Sequence, residues 1–252
     1  MNVIRVEVDG AVATIAFNRP QKKNAITAAM YQQAADAMKQ ADANEVVRVL
    51  LITGDGGAFT AGNDLEDFLR SPPQGDDSPV TQFMNTLRAM TKPVVAAVPG
   101  LAIGIGTTLL MHCDLVYASE RAKFAMPFTQ LGLCPEFASS VLLPRLAGYQ
   151  RAAEKLLLGE PFDASEAERM GLVNRVLPAE ELMSFVHTQV TKLAALPSES
   201  LRITKQLMQA DLQSAIAGAM HSEMQHFTQL LQGPDAKEAF SAFLEKRKPV
   251  FR

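Results

Sequence analysis

Strand-like and helical segments alternate along most of the chain, and this alternation is the feature that most restricts its fold. Residues 3–17 read VIRVEVDGAVATIAF, with apolar and polar residues alternating around an Asp-Gly pair, which predicts a two-stranded hairpin. An Ala- and Met-rich segment at helical spacing follows, with Thr27 as its N-cap, and the run VVRVLLITG then predicts a buried strand. Strands that alternate with helices in this way predict an α/β fold.

The pattern changes near residue 175, after which helical periodicity dominates. We therefore predict a core of residues 1–195 followed by a helical region of residues 196–252. Two segments of that region, SEMQHFTQLLQ and EAFSAFLEKRKPVF, carry apolar stripes. The stripes can pack on the protein's own core or form an oligomer contact, and the sequence favours neither.

Composition argues against several classes of function. The chain of 252 residues has a formal net charge of -3 and no basic run with interleaved aromatic residues, which disfavours nucleic-acid binding. Its two cysteines, Cys113 and Cys134, are predicted to be free buried thiols, and its four histidines lack the spacing of a zinc site, so no metal is predicted. With no secretory signal and no apolar run long enough to span a membrane, we expect a cytoplasmic protein without a membrane partner.

The segment SPPQGDDSP, residues 71–79, is rich in residues that favour loops. We predict a mobile loop there. It is either a plain surface loop or a loop beside the mouth of a ligand site, and the sequence leaves both interpretations open.

Two glycine-rich segments each follow a predicted strand and precede a predicted helix: GDGGAFTAG at residues 54–62 and GLAIGIG at residues 100–106. Neither has the spacing of a dinucleotide-binding or phosphate-binding loop. Backbone N–H groups at helix N-termini lack intrahelical partners and carry partial positive charge. Two such segments could direct two N–H groups at one oxygen atom, which is the arrangement of an oxyanion hole.

Glu136 is the one acid in the apolar segment FTQLGLCPEFASS, residues 128–140. Burial raises the pKa of a carboxyl group, which suits a general base near neutral pH. The alternative is a glutamate that only reaches solvent or caps the next helix. No GxSxG motif marks a serine nucleophile, and the other acids between residues 100 and 140, Asp114 and Glu120, are expected to have structural roles.

Several motifs, in order and at matching spacing, resemble those of the crotonase superfamily, the enoyl-CoA hydratase/isomerase family. They are NRPQKKNAI, AFTAGNDLEDF, KPVVAAVPGLAIGIGTTL, CDLVYASERAKFAMPFTQLGL and ERMGLVNRV, and the resemblance runs over nearly the whole chain. It implies a spiral of ββα turns with a C-terminal helical region that builds homotrimers, often paired into hexamers. It also implies an acyl-CoA thioester as the substrate and no separate cofactor.

The resemblance also implies a set of site residues. Two backbone N–H groups, which by position are those of Ala61 and Ile105, hold the thioester oxygen. Lys22 to Ala25 resemble the part of the family's site that lines the CoA nucleotide. The substrate-binding residues implied in this way are Asn24, Ala25, Ala61, Gly62, Asn63, Asp64, Leu65, Gly104, Ile105 and Phe128.

The chain departs from the family's hydratase pattern at two positions. Typical hydratases carry a glutamate at each of them, and the corresponding residues here look like Thr108 and Phe128, which cannot act as acid or base near neutral pH. The stretch MPFTQLGLCPEFASS instead resembles the peroxisomal-type delta-3, delta-2-enoyl-CoA isomerases, in which the glutamate at the position of Glu136 is the base.

We therefore expect an isomerase in which Glu136 moves a proton from C2 to C4 of a 3-enoyl-CoA. Phe128, Leu131 and Phe137 are expected to form apolar walls around the carboxyl group. Three alternatives stay open: an enoyl-CoA hydratase, an isomerase of ring-derived thioesters such as those of phenylacetate breakdown, and a non-catalytic acyl-CoA-binding protein.

Overall fold

The computed structural model describes residues 3–70, 75 and 77–251. Its strands are β1 (Ile4–Asp9), β2 (Val12–Phe17), β3 (Val49–Gly54), β4 (Val94–Val98), β5 (Leu101–Ile103), β6 (Leu115–Ser119), β7 (Lys123–Ala125), β8 (Phe162–Asp163) and β9 (Arg175–Leu177). Six of them form one sheet in the order β1-β2-β3-β4-β6-β9, and the other three form a second sheet in the order β5-β7-β8.

The helices surround both sheets and continue to the C-terminal end of the described chain. They are α1 (Ala28–Ala43), α2 (Leu65–Arg70), α3 (Pro79–Ala89), α4 (Ile105–Thr108), α5 (Ser139–Ala147), α6 (Tyr149–Ala153), α7 (Ala164–Arg169), α8 (Leu182–Ala195), α9 (Ser198–Gln209), α10 (Gln213–Leu231) and α11 (Pro234–Leu244). The Thr27 side chain accepts a hydrogen bond from Met30 N, so its predicted role as the N-cap of α1 is confirmed.

The large sheet begins with the predicted hairpin. β1 and β2 pair antiparallel across the turn at Gly10, whose φ of 54° lies in the left-handed region that glycine adopts without strain. Every other neighbouring pair in this sheet is parallel, and parallel neighbours require a crossover between them. Helix α1 supplies the first crossover, from β2 to β3, which confirms the predicted α/β architecture.

Strand β3 shows how the sheet is buried on both faces. Val49 and Leu51 pack against Val186 and the rest of the inner face of α8, while Leu50 and Ile52 join the main core. Successive side chains of a strand point to opposite faces, so a continuous apolar run is what a two-sided core requires.

Two features of the fold lie beyond what the sequence pattern resolves. β8 and β9 were not anticipated, because strands of two and three residues are too short to show a two-residue period. The predicted loop at 71–79 falls largely outside the described residues, and within it Ser78 caps α3 by accepting a hydrogen bond from Thr81 N.

The helices after residue 195 pack on the core at some positions and expose apolar side chains at others. Phe227 of α10 and Phe240 of α11 are buried members of the main core. Leu207 and Met208 of α9 are 71% and 65% exposed. The stripes predicted on α10 and α11 therefore pack in part on the protein's own core, whereas α9 presents apolar side chains to solvent.

A buried ion pair attaches α9 to the sheet. Lys205 Nζ lies 2.8 Å from Asp114 Oδ2 and donates a second hydrogen bond to Lys92 O at 2.9 Å. The same Asp114 oxygen accepts from Val94 N at 2.7 Å, at the start of β4. Asp114 thus joins a strand to a C-terminal helix, which confirms its predicted structural role.

Replacing Lys205 by Met should lower the free energy of unfolding by about 3 kcal/mol, because it leaves the partly buried carboxylate of Asp114 without its counter-charge. Urea unfolding followed by circular dichroism at one protein concentration measures this. Lys192→Met, at an exposed position of α8, is the control and should change stability by less than about 0.5 kcal/mol. Equal stability of the two variants would contradict the assignment.

Candidate active site

The two glycine-rich segments lie against each other, and their glycines allow the contact. A Cβ atom on Gly62 would lie 2.8 Å from Ile103 O, and one on Gly106 would lie 2.5 Å from Thr60 Cγ2. Thr60 also forms an isolated parallel bridge with Ala102. The sequence signal of two glycine clusters therefore marks a place where two backbones approach more closely than any side chain permits.

Three of the four backbone N–H groups of residues 61–64 donate hydrogen bonds to neighbouring residues of the protein. Ala61 N donates to Lys23 O at 2.9 Å, Gly62 N donates to Thr60 Oγ1 at 3.0 Å, and Asp64 N donates to Ile26 O at 2.9 Å. Asn63 N has no acceptor among the described residues. The prediction that Ala61 supplies an oxyanion donor is therefore corrected: its N–H is occupied by Lys23, and the free N–H of this loop belongs to Asn63.

The second free N–H belongs to Ile105, as predicted from the glycine-rich segment at 100–106. Ile105 is the first residue of α4, where the N–H has no intrahelical acceptor, and no other described residue accepts from it. Gly104 N, by contrast, donates to Ala125 O at 2.9 Å. Because Gly62 touches the Ile103–Gly104 backbone, the segments that carry the Asn63 and Ile105 N–H groups are neighbours in space.

A cleft of about 620 Å³ opens at this point, a volume typical of small-molecule sites. Its walls include nine of the ten residues that the sequence predicts as substrate-binding: Ala25, Ala61, Gly62, Asn63, Asp64, Leu65, Gly104, Ile105 and Phe128. Leu131 and Glu136 also line it, and Phe227, Phe240 and Phe243 from the C-terminal helices close its far side. The structure thus brings nearly the whole predicted set into one cleft.

Asn24 is the exception, and its predicted role in substrate binding is corrected. Its side chain is fully buried away from the cleft. Asn24 Oδ1 accepts from Arg19 N at 2.7 Å, and Nδ2 donates to Asp55 O at 2.9 Å and Ala58 O at 2.8 Å. With these hydrogen bonds made internally, Asn24 holds the loop before Ile26 against the glycine-rich segment and does not face a ligand.

Asp64 lines the cleft, but its carboxylate is already paired. Arg19 Nη1 lies 2.5 Å from Asp64 Oδ2, and Asp64 Oδ1 accepts from Asp67 N at 3.1 Å, which caps α2. Its neighbour Asn63 accepts a hydrogen bond from the buried Tyr31 hydroxyl at 2.5 Å through Oδ1. The side chains of this loop are therefore held in place, while the Asn63 backbone N–H stays free.

Glu136 lies where the cleft meets a small enclosed cavity of about 30 Å³. Its side chain is buried, with the residue 7% exposed, and its Oε1 atom has no hydrogen-bond partner among the described residues. Burial, and then the charge of the nearby Glu223, raises the pKa of Glu136 from 4.5 to about 8. A carboxyl group that is buried, unpaired and of raised pKa is a candidate general base.

The backbone around Glu136 is unusual and is held by several contacts. Phe137 and Ala138 both have a φ of 56°, in the left-handed region that residues with a side chain rarely adopt. The Glu136 carbonyl oxygen accepts from Ser139 Oγ at 2.6 Å and Ser139 N at 3.1 Å. His112 Nε2 lies 2.8 Å from Phe137 O, and the two rings stack with centroids 3.7 Å apart.

Thr108 and Phe128, which the family resemblance implied to stand at the positions of the two hydratase glutamates, contribute no acid or base. The Thr108 hydroxyl is buried and donates to Ile105 O at 3.4 Å, whereas the Phe128 ring lines the cleft. Leu131 also lines the cleft, and Phe137 lines the enclosed cavity, so the predicted apolar walls around Glu136 are confirmed.

Sequence reasoning missed three residues around Glu136: Tyr31, His112 and Glu223. Each is separated from its contact in the site by many positions, 32 for Tyr31 with Asn63, 25 for His112 with Phe137 and 85 for Glu223 with Ala138. No local spacing marks such contacts. The one available signal was a glutamate at position 223 within an otherwise apolar and small-residue stripe.

Two general searches bear on function. Over residues 3–70, 75 and 77–251, no group of three or more His, Cys, Asp or Glu residues is arranged to hold a metal ion. None of the helices that the structure describes combines the length and hydropathy needed to cross a membrane. Cys113 and Cys134 are both free, as predicted, but each residue is only partly buried.

Comparison with known proteins points to one family. The family model described as enoyl-CoA hydratase/isomerase matches residues 7–252. The chain is 41% identical to rat enoyl-CoA delta isomerase 2 over 211 residues, which are 81% of this chain and 54% of that protein, so it spans about half the length of this relative. It is 35% identical to the 1,2-epoxyphenylacetyl-CoA isomerase of Escherichia coli over 100% of this chain and 98% of that protein. It is also 33% identical to a probable enoyl-CoA hydratase of Mycobacterium bovis over 98% of this chain and 97% of that protein.

A solved structure agrees with this comparison over the full length. The fold superimposes on an enoyl-CoA hydratase/isomerase from Pseudoalteromonas atlantica with a TM-score of 0.95 and 36% identity, covering 100% of both chains. The crotonase-like fold expected from the sequence motifs is confirmed.

The raised pKa of Glu136 should make stability depend on pH. Between pH 4.5 and about 8 the unfolded chain has released the Glu136 proton while the folded protein retains it, so stability falls as pH rises through this window. Glu136→Gln removes the cost of ionising the buried group. The variant should match wild type near pH 4.5 and exceed it by roughly 2–4 kcal/mol at pH 9, with about 1.4 kcal/mol per pH unit as the upper bound.

Urea midpoints of both proteins across this pH range measure the difference. Glu180→Gln, at an exposed position, is the matched control and should show a constant difference from wild type. A gap between Glu136→Gln and wild type that does not widen with pH would contradict the raised pKa.

Proposed function

The chain belongs to the enoyl-CoA hydratase/isomerase family, and on that premise we propose that it is an isomerase that converts a 3-enoyl-CoA into the 2-trans-enoyl-CoA. The observation that carries the proposal is Glu136. Among the described residues it is the one buried carboxylate of the cleft that has an oxygen atom without a hydrogen-bond partner. A free base beside free N–H donors suits proton transfer next to a thioester carbonyl.

The proposed reaction moves one proton and one double bond. The Glu136 carboxylate removes a proton from C2, the C–H electron pair forms a C1–C2 double bond, and the thioester oxygen becomes negatively charged. Glu136 then returns the proton to C4. The electron pair of the C3–C4 double bond forms the new C4–H bond, the C1–C2 pair moves to C2–C3, an oxygen electron pair re-forms the carbonyl, and Glu136 is again a carboxylate. No electrons are lost or gained, so the reaction as proposed uses no cofactor beyond the CoA thioester itself.

The intermediate needs stabilisation at its oxygen atom. We assign this to the N–H groups of Asn63 and Ile105, which lack acceptors among the described residues and lie on loops that touch. Such preorganised donors act strongly in a site that excludes water, and each is typically worth about 10²- to 10³-fold in rate. The thioester oxygen placed between them would set C2 toward Glu136, because all three groups line the same cleft.

One base suffices for this reaction, because the proton that leaves C2 is the proton that arrives at C4. Hydration differs, since water must be activated while a proton is also delivered to carbon, and that work is commonly divided between two groups. Thr108 and Phe128 offer neither function. The second buried carboxylate nearby, Glu223, accepts hydrogen bonds from Ala138 and Ser140. These observations favour isomerisation over hydration.

The relatives' names define the competing reactions. One relative is named an enoyl-CoA delta isomerase, another a 1,2-epoxyphenylacetyl-CoA isomerase and another a probable enoyl-CoA hydratase. The enoyl-CoA delta isomerase is the most identical to this chain of the three, but the match covers only about half of that protein's length. The substrate therefore has to be tested with all three classes of thioester.

Glu136→Gln should abolish most of the isomerase activity. In a coupled assay, 3-hexenoyl-CoA is supplied with an excess of a hydratase and a 3-hydroxyacyl-CoA dehydrogenase, and NADH formation is followed. Wild type should turn over the substrate, and the variant should lose at least about 100-fold in kcat, as expected for the loss of a general base. The acid limb of the wild-type kcat/KM profile should lie near the Glu136 pKa of about 8.

Glu120→Gln, in an exposed turn, is the control and should retain wild-type activity. Hydration of 2-hexenoyl-CoA and isomerisation of 1,2-epoxyphenylacetyl-CoA are measured in parallel with the purified protein alone. Absence of 3-hexenoyl-CoA turnover together with efficient use of either other thioester would replace the proposed reaction by that one. Tight binding of all three without turnover would indicate an acyl-CoA-binding protein.

We also propose that the protein assembles as a homotrimer or as a hexamer of two trimers. Support comes from the resemblance to the family and from the exposed Leu207 and Met208 of α9. Sedimentation velocity should give a mass of three or six copies of the 27.3 kDa chain. Leu207→Asp with Met208→Asp should shift the mass toward one copy, because a charge is costly to bury in an apolar interface. A monomeric wild type would contradict the proposal.

A further inference from the structure

Glu223 lies on α10, in the C-terminal helical region, yet its side chain reaches the segment that carries Glu136. It is buried, with the residue 7% exposed. Glu223 Oε2 accepts from Ala138 N at 2.6 Å, and Oε1 accepts from Ser140 N at 3.0 Å and from the Ser140 hydroxyl. A carboxylate in this position satisfies the N–H groups at the start of α5, where the helix has no acceptors of its own.

The segment that Glu223 holds is the one whose conformation is least favourable without support. Phe137 and Ala138 occupy the left-handed region in succession, which non-glycine residues do only when their surroundings impose it. Ser139 holds the Glu136 carbonyl from within the segment, and His112 lies within hydrogen-bond distance of the Phe137 carbonyl. Glu223 holds Ala138 N, which makes it the contact that comes from the C-terminal helices.

The two carboxylates also share a space. Glu136 and Glu223 both line the enclosed cavity of about 30 Å³, together with Met220 and Met224 of α10. This volume has room for about one water molecule, so little solvent separates or screens the two groups. Burial raises the pKa of Glu223, while its three donors act in the opposite direction because they stabilise the charged form; Glu136 Oε1 has no donor among the described residues.

We propose that Glu223 is a positioning residue for Glu136, holding the turn that carries the base and placing a second carboxylate on the cavity that the base faces. The inference rests on the proposed role of Glu136 as the base. We assign no proton transfer to Glu223, because it is not among the residues that line the cleft, and its oxygen atoms accept hydrogen bonds from Ala138 and Ser140. Its charge disfavours the ionised form of Glu136 and so makes that carboxylate a stronger base once ionised.

Three other titratable groups around the pair, Tyr31, Cys134 and His112, have pKa values shifted in the direction that favours their neutral forms near pH 7. Burial raises the pKa of the Tyr31 hydroxyl of α1 well above its usual value, and it raises the pKa of the Cys134 thiol to about 11. Burial lowers the pKa of His112, which stacks on Phe137, to about 4, and the positive charge of Arg88 on α3 acts on His112 in the same direction. Glu223 is thus the charged group through which the pKa of Glu136 can be altered by substitution.

Three variants separate the charge of Glu223 from its hydrogen bonds. Glu223→Gln removes the charge and one acceptor. Glu223→Asp keeps the charge but is shorter by one methylene group and cannot reach both Ala138 and Ser140. Glu180→Gln removes one exposed negative charge at a residue that does not line the cavity and is the matched control.

The first readout needs no turnover. Infrared spectra recorded as a pH titration show the C=O band of a protonated carboxyl group, and subtracting the spectrum of the matching Glu136→Gln protein isolates the Glu136 band. In wild type this band should disappear around pH 8. In Glu223→Gln it should disappear about one pH unit lower, and in Glu223→Asp and Glu180→Gln it should disappear where it does in wild type.

The second readout is the pH profile of 3-hexenoyl-CoA isomerisation. On the alkaline plateau, Glu223→Gln and Glu223→Asp should both lose about 10-fold or more in kcat with little change in KM, because the base is displaced while the binding surface remains. The acid limb should move to lower pH in Glu223→Gln alone. Glu180→Gln should match wild type throughout.

Each result of these two measurements either supports the role of Glu223 or overturns it. An infrared band that stays at its wild-type pH in Glu223→Gln overturns the inference, and so does an equal loss of activity at every pH, which is what a merely structural role would produce. Should Glu223→Gln fail to fold, Glu223→Asp decides through the kcat loss at unchanged KM, and an unchanged kcat overturns the inference. A wild type that turns over no 3-enoyl-CoA overturns the proposed function, while the infrared titration still decides the role of Glu223.

Discussion

The close approach of two backbone segments is the constraint on which the rest of the site depends. Gly62 lies against the Ile103–Gly104 backbone, and Gly106 lies against Thr60, at distances that no side chain could occupy. This contact joins the end of β3 to the start of α4 and leaves two N–H groups, on Asn63 and Ile105, without acceptors among the described residues. Buried N–H groups are nearly always paired, and the two free groups of this cleft are the donors that the proposed reaction uses.

Glu136 is the second element of the site. In the glycine-rich loops backbone N–H groups are left without acceptors, whereas at Glu136 the backbone is hydrogen-bonded and a side-chain oxygen atom is left without a donor among the described residues. Its backbone is held by Ser139, and the two residues after it are held by His112 and Glu223, whereas its Oε1 atom has no partner in the described part of the chain. A side chain on such a restrained backbone loses little freedom when it meets a substrate, and an unpaired carboxylate in apolar surroundings retains its basicity. The arrangement lowers stability above the unfolded pKa of the group and favours proton abstraction, a combination common at catalytic sites.

Which reaction a cleft of this family can catalyse depends on how many free acids or bases it holds. One base and two oxyanion donors are enough to move a proton between two carbons of the same substrate, whereas hydration commonly divides its proton transfers between two groups. The cleft has one free buried carboxylate, and Thr108 and Phe128 stand at the positions that resemble the hydratase acids. One fold can host several reactions, so this local difference, and not the fold, supports isomerisation.

The sequence by itself determined the features that depend on local pattern. The hairpin at Gly10, the N-cap at Thr27, the alternation of strands and helices, the two glycine-rich loops and the lone acid at Glu136 all follow from residues a few positions apart, because capping, turn formation and side-chain periodicity act over that range. Motif resemblance extended this to the fold and to most of the residues that line the cleft.

Only the tertiary structure decided which of these groups are free to act. Ala61 looked like a donor, but its N–H is occupied by Lys23 O, and the free N–H lies two residues later at Asn63. Asn24 looked like a binding residue, but its amide is used within the protein. Glu223 lies 85 positions from Ala138, and no local spacing in the sequence marks the contact between them. Whether a polar group is hydrogen-bonded within the protein or available to a ligand depends on partners that the folded chain brings together from distant positions. A sequence pattern does not carry that information.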